Sequence, residues 1–93
     1  MLLMCCRLQE LELYCCDNMT DRGLLEGIGS LQELTSLHLS VCHDLTAQAW
    51  SKFLHRTSMA SMVFLELSFC SNLDDEGLKG IAERYNKLTY LHV

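Results

Sequence analysis

One local pattern occurs four times along the chain. Leu11-x-Leu13, Leu37-x-Leu39, Leu65-x-Leu67 and Leu91-x-Val93 open successive segments, with leading leucines 26, 28 and 26 residues apart. Each pair follows an apolar residue three places earlier, at Leu8, Leu34, Met62 and Leu88. Alternation with period two sends these leucines to one face of a strand and the residues between them to the other. After each strand the apolar spacing changes to three and four, which is the period of a helix. A strand–helix unit this short cannot bury its own apolar face. It must stack on identical neighbours, with parallel strands about 4.8 Å apart.

The expected architecture is therefore an α/β leucine-rich repeat solenoid of three to three and a half repeats. Parallel strands line the concave face and short helices the convex face. The units are a partial repeat over 1–7, repeats over 8–33, 34–61 and 62–87, and a partial repeat over 88–93. The second repeat carries two extra residues in the stretch from His55 to Ser61, a loop position where insertion leaves the strand register intact. Thr20, Thr46 and Asp74 stand where helix N-caps belong, with Asp21, Asp75 and Glu76 in the first turns. The predicted apolar stripes join Leu24 to Ile28, Trp50 to Phe53 and Leu54, and Leu78 to Ile81 and Ala82. Trp50 aligns with Leu24 and Leu78, so it is a core residue, its indole N–H expected to reach a loop carbonyl. Arg22, Glu26, Lys52, Lys79, Glu83, Arg84 and Lys87 read as a solvated helix face. The chain begins on a helix tail and stops inside a strand, so further repeats are expected on both sides. Apolar surface at Leu2, Leu3, Leu88 and Leu91 should then make the isolated chain weakly stable or self-associating.

Charge excludes some partners. The formal net charge is −5, whereas nucleic acid requires a concentrated basic surface. No apolar run reaches the roughly 18 residues of a membrane-spanning helix, and an acidic chain is a poor electrostatic membrane anchor. Cys16, Cys42 and Cys70 fill the same slot in successive repeats. That regularity points to a repeated packing role with reduced thiols, in the cytoplasm or nucleus, rather than to a disulfide framework. Each thiol should sit in the turn after its strand, its S–H aimed at a backbone carbonyl.

The order L-x-x-L-x-L-x-x-C-x-x-L-T-D-x-G-L resembles the cysteine-containing leucine-rich repeat of F-box and leucine-rich repeat proteins, over almost the whole chain. Leu65, Leu67, Cys70, Asn72, Leu73, Asp75, Gly77 and Leu78 fit it in the third repeat. The first repeat fits with Met19 in place of leucine. The second departs at Ala47, Ala49 and Trp50, which bears on its helix start and not on its strand. The resemblance implies a curved stack that holds a protein substrate for a ubiquitin ligase, joined to the ligase components through a separate F-box segment. No part of this sequence resembles an F-box.

No cofactor, metal or catalytic residue is assigned. Zinc needs four converging ligands, commonly from C-x-x-C pairs, and here the thiols fall one per repeat with C-C pairs lacking intervening residues. Cys42 and His43 are adjacent, but the nucleophile of a cysteine enzyme needs a base within reach and oxyanion donors, and no glycine-rich turn supplies them. What remains is the outward row of the strands. Its columns are Glu10, Ser36, Phe64 and Tyr90; then Glu12, His38, Glu66 and His92; then Tyr14, Ser40 and Ser68. In the second column acid and imidazole alternate as cross-strand neighbours, a docking stripe or a pH-responsive one. The expected partner-binding residues are Glu10, Glu12, Tyr14, His38, Phe64, Glu66, Tyr90 and His92, on the concave face, and the expected function is protein recognition. Two alternatives are a structural scaffold repeat in a larger intracellular or ciliary assembly and, further off, a cysteine-dependent enzyme.

Overall fold

The computed structural model describes residues 7–14, 18–56 and 60–93. The expectations for Leu2, Leu3, Cys5, Cys6, Cys15 and Cys16 lie outside these residues. Four strands, β1 (Glu10–Leu13), β2 (Ser36–Ser40), β3 (Phe64–Ser68) and β4 (Tyr90–His92), form one parallel sheet in the order β1-β2-β3-β4. Leu11, Leu37, Leu65 and Leu91 stand side by side across it, as do Glu10, Ser36, Phe64 and Tyr90. The leucine pair that recurs in every unit sets this register, because a slip of one residue would turn every leucine to solvent.

Three helical segments join the strands. The first runs as a π-type stretch over Gly23–Gly27 into a 3-10 turn over Ile28–Ser30. The others are the regular helices α1 (Ala47–Leu54) and α2 (Asp75–Arg84). Glycines at 23, 27 and 29 weaken the first segment as an α-helix. The Ile28 N–H accordingly points to both the Gly23 and Leu24 carbonyls. Leu24 and Ile28 still reach the core, at 0% and 1% exposure.

The inward leucines of β2 and β3 pack with Trp50, Phe53, Leu54, Met62 and Ile81. Burial follows position in the sheet. Leu37, Leu39, Leu65 and Leu67 are buried, Leu11 and Leu13 are half-buried, and Leu91 is 45% exposed. Each fully buried leucine contributes about 1.5–3 kcal/mol relative to an exposed one, so among the strands the two middle ones contribute most of the apolar stabilisation. In α2 the buried stripe differs from the predicted one. Ala82 is exposed, and Tyr85 closes the core at 5% exposure, because α2 turns its Ile81 and Tyr85 side inward.

Polar side chains tie each unit to the next. Thr46 caps α1 by accepting from the Ala49 N–H at 3.1 Å. The same residue donates its backbone N–H and its hydroxyl to the two carboxylate oxygens of Asp21, at 3.0 and 2.9 Å. Asp74 caps α2 through the Gly77 N–H at 3.2 Å. Asn72 donates to the Leu45 and His43 carbonyls of the preceding unit, at 2.7 and 3.3 Å. Thr46→Ala should cost about 1–2 kcal/mol, since it removes a cap and the hydroxyl that donates to Asp21. Asp21→Ala should cost about 1 kcal/mol, and urea melts of the two single variants and the double should show clear non-additivity. Additive losses would mean that the two groups act separately.

After β2 and β3 the chain turns through the left-handed region, at Val41 (φ 58°) and Phe69 (φ 57°). Such a conformation is unusual for any residue but glycine and strained for a β-branched one. It recurs at the same slot, and the Val41 N–H is used there, donating to the Ser68 carbonyl at 2.9 Å. The turn delivers the next residue inward. Cys42 is buried with its thiol 3.9 Å from the Ser40 carbonyl, and Cys70 is half-buried, 3.7 Å from the Ser68 carbonyl.

Two buried polar groups lack partners among the described residues, the Trp50 indole N–H and the Tyr85 hydroxyl. The indole lies wholly within the apolar core, and the expected loop carbonyl is not found among the described residues. For Tyr85, burial pushes the hydroxyl pKa well above the ordinary tyrosine value. The raised folded-state pKa makes its stabilisation complete below the unfolded value of about 10. It is lost as the pH rises from there through the folded pKa. Tyr85→Phe should flatten the decline of stability in base. Near neutrality it should be neutral or stabilising by about 1 kcal/mol, because an unpaired buried hydroxyl disappears. Urea titrations at about pH 8 and pH 11 check both; a variant that declines in base as steeply as the parent would count against this role for Tyr85.

Candidate functional site

The sheet has two unlike faces. Leucines fill the inner one, and the outer one carries the residues between them, with no helix of the described residues packed over it. All eight residues singled out from the sequence lie along this outer face. Glu10, Glu12, His38, Phe64, Glu66, Tyr90 and His92 occupy strand positions in the expected columns, and Tyr14 follows directly on β1.

In the column through the middle of the sheet, side chains meet across three strand boundaries. His38 sits between two carboxylates, Nδ1 3.7 Å from Glu12 Oε2 and Nε2 3.3 Å from Glu66 Oε2. On the far side of Glu66, His92 Nδ1 is 3.7 Å from the same oxygen. Strand spacing brings these groups together and lateral packing shields the central ones: His38 and Glu66 side chains are 15% and 19% exposed, whereas Glu12 and His92 are 64% and 60% exposed. Glu66 Oε2 also accepts the Ser68 hydroxyl at 3.0 Å.

Aromatic rings extend the row. The Phe64 and Tyr90 rings stack in parallel, centroids 4.4 Å apart and planes 4° from each other. Tyr14 meets the His38 ring edge-on at 4.9 Å and donates its hydroxyl to Glu12 at 3.1 Å. That hydrogen bond holds the Tyr14 pKa above its ordinary value, with desolvation and the charges of Glu12 and Glu66 acting in the same direction. Tyr14 and Tyr90 remain 61% and 44% exposed. Phe69, 76% exposed on the left-handed turn after β3, is a further aromatic at the rim of this face. The alternation of the strand did not single it out, since it lies one residue past the strand end.

The side chains of the row hold one another. It combines carboxylates, imidazoles and rings, the composition of a binding surface more than of a reaction centre. Cys42 and His43 do not form a pair. The thiol is buried, and His43 is exposed with Nδ1 3.1 Å from the Ser71 hydroxyl. Among the described residues no group of three or more His, Cys, Asp or Glu side chains is placed to hold a metal ion. No helix among them is long and apolar enough to cross a membrane.

The fold has a solved counterpart. Over 92% of its length the chain matches a chain in the crystal structure of the Rad7 and Elc1 complex in yeast, with a TM-score of 0.80 and 24% sequence identity. The likeness is one of fold, and it spans 21% of that chain. No protein-family model matches the sequence, and no curated protein does.

Proposed function

We propose that this chain is part of a leucine-rich repeat solenoid and serves as a non-catalytic protein-recognition module of the cytoplasm or nucleus. Its concave sheet face receives the partner. The observation that carries the reading is the outer face itself, where the Phe64–Tyr90 stack and the Glu12–His38–Glu66–His92 column lie side by side, uncovered and mutually braced. Aromatic groups beside charges are the composition of interface hot spots, and a braced surface loses little side-chain entropy on docking. The finer reading is a substrate-receptor region of F-box and leucine-rich repeat type, working in a ubiquitin ligase. The cysteine-containing motif supports it, as does a fold shared with a chain that was solved in complex with another protein.

The test is affinity capture with the parent chain, with Phe64→Ala/Tyr90→Ala, and with Lys79→Ala/Glu83→Ala on the helical side. A recognition module should lose its specific partner only in the aromatic variant, with the far-UV circular dichroism of all three unchanged. A scaffold that leaves this face idle should retain its partners in the aromatic variant.

A further inference from the structure

The distribution of charge on the outer face identifies the chemistry of what it binds. All seven lysines and arginines of the chain lie in helices, turns or loops, and none is in a strand. The outward strand positions hold Glu10, Glu12 and Glu66 with no fixed cation among them. Glu12 and Glu66 spend Oε2 on neighbouring side chains. Glu10 is exposed, and its carboxylate makes no hydrogen bond or ion pair with any described residue.

One place on the face combines an exposed acid with aromatic surface. Glu10, Ser36 and Phe64 are register partners on consecutive strands, so Glu10 and Phe64 stand about 10 Å apart across a single serine. One face of the Phe64 ring is covered by Tyr90, and the register neighbour on the other side is Ser36, a small residue. We propose that this slot over Ser36 accepts an arginine from an extended basic segment of the protein partner. Its guanidinium stacks on Phe64 and its fork reaches the Glu10 carboxylate. The planar, weakly hydrated guanidinium suits a site between ring and carboxylate better than the compact ammonium of lysine. Glu12 and Glu66 lie in the next column and draw further cations of the same segment. This assignment rests on the outer face being the recognition surface.

The test uses the isotope-labelled chain and three synthetic glycine-serine peptides carrying arginine, lysine or glutamate at alternate positions, followed by NMR titration. The arginine peptide should shift the amides of Ser36, Phe64 and Tyr90, bind several-fold more tightly than the lysine peptide, and weaken with added salt. The glutamate peptide should not bind. Glu10→Gln and Ser36→Leu, both outward and away from the core, should each weaken the arginine peptide by about two- to five-fold. The assignment is overturned by equal binding of arginine and glutamate peptides, by shifts confined to the helices, or by variants that bind as the parent does. Equal binding of lysine and arginine overturns the stacked guanidinium. None of these results touches the capture experiment, which fails or succeeds on the Phe64→Ala/Tyr90→Ala variant alone.

Discussion

Trp50→Ala should remove a large share of the chain's stability. The indole is wholly buried and meets Phe53 edge-on, centroids 6.3 Å apart, and truncating a buried tryptophan costs about 3–5 kcal/mol. A domain of this size holds only about 5–14 kcal/mol in total. Trp50→Phe should be far milder, about 1–2 kcal/mol. It loses ring volume, but it also removes an indole N–H that is buried without an acceptor among the described residues. Urea titration followed by far-UV circular dichroism measures both. If the phenylalanine variant is as unstable as the alanine variant, the unpaired donor carries no penalty.

Gly80 sets the second large effect, through the approach of α2 to α1. A Cβ at this position would stand 2.8 Å from His55 Cε1 and 2.9 Å from Nδ1. The ring cannot swing aside freely, because Nδ1 is 2.7 Å from the Ser51 carbonyl, as a donor to it. Helix propensity alone favours alanine over glycine by about 1 kcal/mol. Overpacking costs about 1–3 kcal/mol, and the lost hydrogen bond adds about 1 kcal/mol. Gly80→Ala should therefore destabilise by about 1–3 kcal/mol, and Gly80→Val by more. In a His55→Ala background the sign should reverse, propensity then being the term left over. A thermodynamic cycle of the two single variants and the double measures this coupling. Independent effects would show that the ring yields without resistance.

The strand register was legible because it depends on count alone. Once Leu11, Leu37, Leu65 and Leu91 share a slot, every outward column follows, and the observed pairs are those columns. The caps at Thr46 and Asp74 were legible from their oxygen-bearing side chains. Ala47, which breaks the motif, acquires a reason only in three dimensions. Asp21 clasps the cap residue of the next unit, Thr46, and the position equivalent to Asp21 in the second unit is Ala47, whose counterpart cap is Asp74. Ala47→Asp would set two carboxylates against each other, so the loss of the acid and the change of cap from threonine to aspartate belong together. The π-type stretch after Gly23 was not legible, since an extra residue per turn is stabilised by packing rather than by propensity. Nor was the choice of Tyr85 over Ala82, which depends on how α2 rolls against the sheet. The ring stack of Phe64 on Tyr90 was half legible: the column was given, the parallel geometry was not.

The left-handed turns at Val41 and Phe69 act as a ruler. Each ends its strand at the same residue, so the outer face is a ribbon no more than five residues wide, roughly 17 Å. Width is fixed while length grows by about 4.8 Å with every added strand. An extended partner lying across the strands presents same-side residues about 6.8 Å apart, a spacing that drifts out of phase with the columns like a vernier scale. Only a few of its side chains can coincide with columns at once. Selectivity on such a ribbon then comes from a small number of well-seated anchors, and a change in the spacing between two anchors should matter more to binding than a change in the residues that lie between them.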